Sequence, residues 1–431
     1  MVENANLRLE EYRRDAESCP GCRGCIWVDH IFCSGSKYSM RCPSLYHRKF
    51  DAYSCMGRNK IALGIMKGEV DFTPKTIEII YQCNLCGACL AACKRNLDLD
   101  TDMTLETLRI RAVEKGAAPI PEHKAINDRI AESGNRYGLD NSKRGGWLPG
   151  AAKVSDKPEM VYFAGCNSSF RNREIATAST GILDALGASY ALLAEERCCG
   201  NPLYESGDAD AALERAKQNI AALKATGASA LVTSCAECYK VWKVDYPKLL
   251  DRSTEEMEYR VLHITQVANR GIQDGSLKLG HPVNMRVAYH DSCKLTRCSD
   301  DWVPWHGKRG KYGVTIPPKV WRRGINGVIM EPREILASIP GIDLKEMIRN
   351  GMSTLCCGAG AGVAEAYPDY SENVSNHRLD EAEDVGVEAL VSSCPYCKDA
   401  FTKAAKQGGR QIKCFDITQV LHESIYGKGG L

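Results

Sequence analysis

"RCCGNP", Arg197 to Pro202, sets two cysteines side by side in front of a glycine, and "LCCGAG", Leu355 to Gly360, repeats the arrangement. The flanking sequence repeats with it. "FAGC" (Phe163 to Cys166) matches "HDSC" (His290 to Cys293), "GASALVTSCAECYK" matches "GVEALVSSCPYCKD", and "HITQVA" (His263 to Ala268) matches "DITQVL" (Asp416 to Leu421). Matches that recur in one order mark two copies of one unit. The second copy is longer, with 62 residues between Cys293 and Cys356 against 31 between Cys166 and Cys198.

Working outward, each copy alternates short apolar runs with amphipathic stretches. "MVYFAGC" reads as a strand running into Cys166, "TASTGILDALGA" as a helix, "SYALLAEERCCG" as a strand ending at Cys198, and "SALVTSCAEC" as a strand ending at Cys235. This is an α/β pattern with cysteines in loops after strand C-termini, where open α/β sheets build their sites. Upstream the texture is different: the stretches Pro74 to Gln82 and Thr101 to Lys115 have helical spacing, so an N-terminal, mainly helical domain is expected over 1–130. Residues 131–158, rich in Gly, Ser, Asn, Lys and Pro, read as a linker or extended surface connection. The two α/β domains are then expected over 159–280 and 281–431, the second with an insertion at 299–350.

The chain has 431 residues, 44% hydrophobic and 26% charged, enough for several real cores. Its 56 Lys and Arg nearly cancel 54 Asp and Glu, so no global field draws it to nucleic acid or an anionic membrane. The N-terminal stretch has no apolar run suited to a signal peptide, and no later run reaches membrane-helix length, so a cytoplasmic protein without membrane insertion is expected. In that setting 22 cysteines read as metal ligands rather than disulfides.

"CNLCGACLAAC" gives Cys83, Cys86, Cys89 and Cys93 the spacing that wraps three thiolates round one cuboidal 4Fe-4S cluster and sends the fourth to a neighbouring one. "CPGCRGC" supplies Cys19, Cys22 and Cys25, and Cys42-Pro43 follows after sixteen residues. The expected sets are Cys19, Cys22, Cys25 with Cys93, and Cys83, Cys86, Cys89 with Cys42; Cys33 or Cys55 are alternatives to Cys42. After the linker each half offers Cys, Cys-Cys-Gly and Cys-x2-Cys. Five thiolates exceed what zinc or a cuboidal cluster takes, and Gly200 and Gly358 let the backbone turn beside them.

"CCG" with these flanks, "YHDSC" and "SSCPYC" resemble the cysteine-rich (CCG) domains of heterodisulfide reductase. A two-cluster ferredoxin-like region ahead of two such domains resembles its HdrD-type subunit. "CPSLYHRKFDAYSCMGRNKIALGIMKGE" leading to "YQCNLCGAC" also resembles this group and its glycolate oxidase and glycerol-3-phosphate dehydrogenase iron-sulfur relatives. The resemblance implies a noncubane 4Fe-4S cluster on Cys166, Cys198, Cys199, Cys235 and Cys238, and another on Cys293, Cys356, Cys357, Cys394 and Cys397, one or both being assembled. It implies two cubane clusters upstream and an electron path through flavin- or iron-sulfur-bearing, HdrA-like partners. No nicotinamide or flavin fingerprint belongs to this chain: "GAGAGV" (Gly358 to Val363) follows Cys-Cys and reads as cluster-loop glycine.

Three functions fit these motifs: an electron-relaying subunit of an anaerobic oxidoreductase, with the benzoyl-CoA reductase complex and its BamD subunit as one host; a thiol-disulfide reductase acting on a heterodisulfide or CoA-type substrate; and a zinc-bearing scaffold or nucleic-acid binder. The last leans on Trp302, Trp305 and Trp321 among Lys308, Arg309, Lys311, Arg322 and Arg323, against which stands a docking or covering loop whose charges stay solvated. His290, three residues before Cys293, is a candidate proton donor to a leaving thiolate, or a hydrogen-bonded structural histidine.

Overall fold

A computed structural model describes residues 4–28, 33, 35–93 and 98–427. Past residue 159 it holds two four-stranded parallel sheets. The first is built from β1 (Met160–Phe163), β2 (Tyr190–Ala191), β3 (Ala230–Thr233) and β4 (Arg260–His263) in the order β2-β1-β3-β4. The chain continues through β5 (Met285–His290), the hairpin of β6 (Lys308–Arg309) and β7 (Thr315–Ile316), then β8 (Ile342–Lys345), β9 (Ala389–Ser392) and β10 (Lys413–Asp416). The second sheet runs β8-β5-β9-β10, the same order with β5 standing for β1 and β9 for β3. The duplication read in the sequence is a duplication of topology.

The central strands explain themselves. "ALVT" and "ALVS" are buried at every position, as parallel strands covered on both faces must be. In each sheet the chain leaves to opposite sides after the two central strands. The crevice between their C-terminal ends is the switch point at which such sheets bind ligands. Cys166 and the Cys235/Cys238 pair follow β1 and β3; Cys293 and the Cys394/Cys397 pair follow β5 and β9.

Within the segment 299–350, expected as an insertion, the helix Glu331–Ser338 and β8 occupy the places that the helix Arg173–Ala185 and β2 hold in the first half. The added part is therefore the loop and the β6–β7 hairpin ahead of them. A single apolar core joins the halves: Tyr162, Val232 and Ile264 of the first lie in one cluster with Val287, Tyr289, Val391 and Ile417 of the second.

The described part of residues 4–133 is helical, including Cys55–Lys67, Pro74–Tyr81, Thr101–Glu114 and Pro121–Ser133, beside one isolated bridge between Trp27 and Met40. Thr73 caps the second of these helices by accepting from the Thr76 N–H, with Pro74 at its first position. Leu7, Tyr12, Met103, Ile110 and Ile130 share a core with Val161 and Phe163, so the helical region sits on the first half. Beneath it Glu106 accepts from Lys248 at 2.6 Å and from the Tyr204 hydroxyl at 2.7 Å, while Asp245 pairs with Lys240 at 2.8 Å, all buried.

Two sequence expectations change here. The linker is packed rather than extended: Trp147 is buried edge-on against Tyr162 at 5.8 Å, and Asn135, Arg136 and Arg144 are buried too. The charges of the added loop are in part engaged, while Lys308, Lys311 and Arg323 remain exposed. Arg309 pairs with Asp15 at 3.3 Å, Arg322 with Asp102 at 3.0 Å, Arg323 with Asp98 at 3.7 Å, and Lys319 with Asp100. The loop is a strap fastened to the helical region. No helix among the described residues is long and apolar enough to cross a membrane.

Candidate metal centres

The thiols gather in four sets. Cys19, Cys22, Cys25 and Cys93 line one hollow, together with Cys55 and Leu99. Cys42, Cys83, Cys86 and Cys89 line a second, again with Cys55 and Cys25, and with Cys298, a thiol that spacing alone did not single out. The two expected groupings therefore coincide in space. Cys33 packs instead with Val28 and Tyr38, away from both hollows. Cys55 lies between them, with its thiol in hydrogen-bond contact with Cys25 on one side and Cys89 on the other.

The third and fourth sets are the five-cysteine groups, every member buried. Their chemistry is the same in both halves. The N–H of Gly200 donates to the Cys198 sulfur at 3.5 Å, and that of Gly358 to the Cys356 sulfur at 3.5 Å. These glycines hold φ of +86° and +91°, a region that costs an L side chain strain. In each pair the second cysteine is the one favoured as thiolate. Hydrogen bonds from Cys198 and Cys238 pull Cys199 down to about 6, and those from Cys356 and Cys397 hold Cys357 well below the usual thiol range. Hydrogen bonding to the charged form stabilises it against burial. Cys293 reaches Cys356 at 3.9 Å, and Arg144 from the packed linker donates to Cys166 at 3.5 Å.

The sets are contiguous. Cys86 of the second hollow is in hydrogen-bond contact with Cys356 of the second half, and Cys394 of that half with Cys235 of the first. The two helical sets share Cys25 and Cys55 in the walls of their hollows, and with the contacts above the sets follow one another from Cys22 at the surface to Cys235. The thiols wall hollows, a lining that suits a multi-atom group held through several sulfurs. Buried cations beside them complete the fit, since Arg58 lies against Cys42 and Cys83, and Arg297 against Cys86 and Cys293. Anionic iron-sulfur groups on thiolates would balance those charges.

His290 lies apart from any opening. It is wholly buried, accepts at Nδ1 from Arg378 Nε at 3.2 Å, and stands edge-on to Phe401 at 4.7 Å. Burial, aided by the charges of Arg378 and Arg297, holds its pKa well below the ordinary histidine value, so the ring is neutral. This is the environment of a structural histidine. One opening among the described residues is a cavity of about 260 Å³ between the two halves. Arg136, Tyr137, Glu237, Tyr396 and Asp399 are in its wall, Arg136 stacking on the Tyr396 ring at 4.8 Å. Arg136 and Tyr137 come from the stretch read as a linker, whose polar composition concealed them.

Comparison with known proteins agrees with this arrangement. The cysteine-rich (CCG) domain family matches residues 160–241 and again 323–402. The chain is 30% identical to the D-type subunit of dihydromethanophenazine:CoB–CoM heterodisulfide reductase from Methanosarcina acetivorans, over 92% of this chain and 90% of that one. It is 27% identical to one of the subunits of the CoM/CoB fumarate reductase of Methanothermobacter marburgensis, over 96% of this chain and 74% of that one. A hypothetical protein from Helicobacter pylori, solved by crystallography, shares the fold with a TM-score of 0.55 at 13% identity, over 87% of this chain and 68% of that one.

Proposed function

Since the chain belongs to the HdrD-type family of heterodisulfide reductase, the iron-sulfur subunits of redox complexes, we propose that it relays electrons between a redox partner at its helical end and the cleft between its CCG domains. The observation that carries this reading is the succession of thiol sets from Cys22 to Cys235, adjoining at Cys55, at Cys86 and Cys356, and at Cys394 and Cys235. In it the helical region is ferredoxin-like. Cys19, Cys22, Cys25 and Cys93 would hold one cubane cluster, Cys42, Cys83, Cys86 and Cys89 a second, and the two five-cysteine sets a noncubane cluster each. Such clusters supply one-electron steps whose potentials are tuned by charge, hydrogen bonds and exposure. The chain's own part is to bury the thiols, to donate N–H groups to Cys198 and Cys356, and to keep the sets in contact. The partner would be a flavin- or iron-sulfur-bearing, HdrA-like protein; a benzoyl-CoA reductase complex is one host, and the cytoplasm the setting.

A second reading, reduction of a disulfide by this chain itself, is favoured by the cavity between the halves. It is walled by Arg136 and by Glu237 and Tyr396, each of which stands inside the Cys-x2-Cys segment of its half. Iron and acid-labile sulfide counts on anaerobically purified protein test the first reading: about 16 iron atoms per chain are expected, about 12 means one set is empty, and zinc without iron sinks the proposal. Turnover of the isolated chain with a reduced dye and a disulfide separates the readings, because rapid thiol release ends the relay-only view.

A further inference from the structure

Arg297, four residues after Cys293, is fully buried at the seam between the helical region and the second CCG domain. Its Nε donates to the Cys86 carbonyl at 2.7 Å, and its Nη1 to the carbonyls of Thr354 at 2.6 Å and Met352 at 3.1 Å. The carbonyls fix the guanidinium but leave its charge uncancelled. Nη2 is buried without a hydrogen-bond partner. Among the described residues Arg297 makes no ion pair with a carboxylate; the groups whose charge it feels are the thiols of Cys86, Cys293, Cys298 and Cys356.

An isolated buried cation costs several kcal/mol, and the fold retains one where two thiol sets touch. Cys86 belongs to the inner set of the helical region; Cys293 and Cys356 belong to the second half. Of the other buried cations nearby, Lys294 pairs with Glu205 and Arg322 with Asp102, whereas Arg58 and Arg109, beside Cys83, are held like Arg297 by backbone carbonyls; of these Arg297 alone feels thiols of both sets. In the first half the position four residues after the leading cysteine is Phe170, and the arginine that reaches Cys166, Arg144, is neutralised by Glu196 at 2.7 Å.

We propose that Arg297 is a shared counter-cation for the iron-sulfur groups held by these two sets, a positioning residue that raises the reduction potential of both. A fixed positive charge favours the form carrying the extra electron, and it acts most strongly where water is excluded. Nη2 bonds to no protein oxygen and is left to donate to a sulfur of a bound group. This inference rests on the cluster assignment proposed above.

The test is a redox titration of the anaerobic holoprotein followed by electron paramagnetic resonance, with iron and sulfide counted in every sample. Arg297→Gln, with iron retained, is expected to move the midpoints of the affected signals to more negative potential by about tenfold in the reduction equilibrium, about 59 mV for one electron. Arg297→Lys keeps the charge and is expected to stay within about threefold of the wild type. Unchanged midpoints in a fully loaded Arg297→Gln protein overturn the proposal, as does an Arg297→Lys protein shifted as far as Arg297→Gln. If Arg297→Gln loses iron, Arg297→Lys decides: full iron with wild-type midpoints upholds the role, and a tenfold shift ends it. Failure of the cluster assignment is recognised separately, as a wild-type protein without the iron and sulfide expected.

Discussion

The two CCG halves share strand order, cysteine placement, N–H to sulfur bonds and left-handed glycines, yet their surroundings diverge. The first half balances its arginine with Glu196, whereas the second leaves Arg297 to face thiols alone. Phe163 in the first half is His290 in the second, and Arg378 bonds that histidine. Duplication has kept what holds sulfur in place and changed what sets its charge environment. The halves are equal in geometry and unequal in electrostatics.

The strongest way to break this comparison is to empty one half at a time. Replacing Cys356 and Cys357 by serine is expected to remove about four iron atoms and to stop electrons reaching the first half, because the thiols of the second half stand between those of the first half and Cys86 of the helical region. Replacing Cys198 and Cys199 should remove as many while leaving the second half reducible by a donor at the helical end. Rapid mixing with that donor, read by absorbance, checks the asymmetry; equal blocks from both variants would contradict the order of the sets.

Next in size is the buried pair of the first half. Arg144→Met strands the buried Glu196 carboxylate and is expected to cost about 3–5 kcal/mol in urea unfolding, most of it recovered by adding Glu196→Gln. Were the double variant as weak as the single one, the pair would not be the source of the loss.

The helix-capping residues offer a finer contrast. His263 and Asp416 occupy the same place, each accepting from the threonine two residues on and each answered by a glutamine three residues on. Burial lowers His263 to about 4 and raises Asp416 to about 7. From pH 3.8 to about 7 the folded chain keeps a proton on Asp416 that the unfolded chain has released, so this residue makes stability fall as pH rises. Between about 4 and 6.5 the unfolded chain protonates His263 and the folded chain does not, so His263 makes stability rise. Asp416→Asn should therefore steepen the rise between pH 4 and 7, by about 3 kcal/mol over the window, in unfolding measured across pH.

The smallest effect separates the two turn glycines. A Cβ on Gly358 would stand 2.9 Å from the Ser371 carbonyl oxygen, but one on Gly200 would meet side chains alone, Arg215 Cγ at 3.1 Å and its Cβ at 3.4 Å first. Alanine is expected to cost about 1–3 kcal/mol at either site, and more at Gly358. Equal losses would show that backbone conformation alone sets the cost.

What the sequence disclosed follows from range. Cysteine spacing, the repeat and the glycine turns are local, and each was legible with the element that carries it: the helices at Pro74 and Thr101 begin where expected, and the strands end before Cys166, Cys235, Cys293 and Cys394. The strand read across "SYALLAEERCCG" shrinks to Tyr190–Ala191, because only those residues find a partner in β1. What stayed hidden depends on partners far along the chain. Arg136 and Arg144 lie in a glycine- and serine-rich stretch that composition assigns to solvent, and they are drawn inward by Glu365 and Glu196. The strap's destination did have a signal: the acidic run Asp98, Asp100 and Asp102 is opposite in sign to Arg322, Arg323 and Lys319. No spacing rule points to Arg297, whose meaning appears only when Cys86 and Cys356 are brought together.

Among the predicted cluster thiols Cys22 alone is exposed, while the other members of the two helical sets are buried or half-buried and every member of the later sets is buried. Oxidants attack thiolates they can reach. Damage in air is therefore expected to begin at this one corner. A molecule so injured would keep its interior sulfur chemistry intact yet have lost its terminal contact, like a cable cut at the plug.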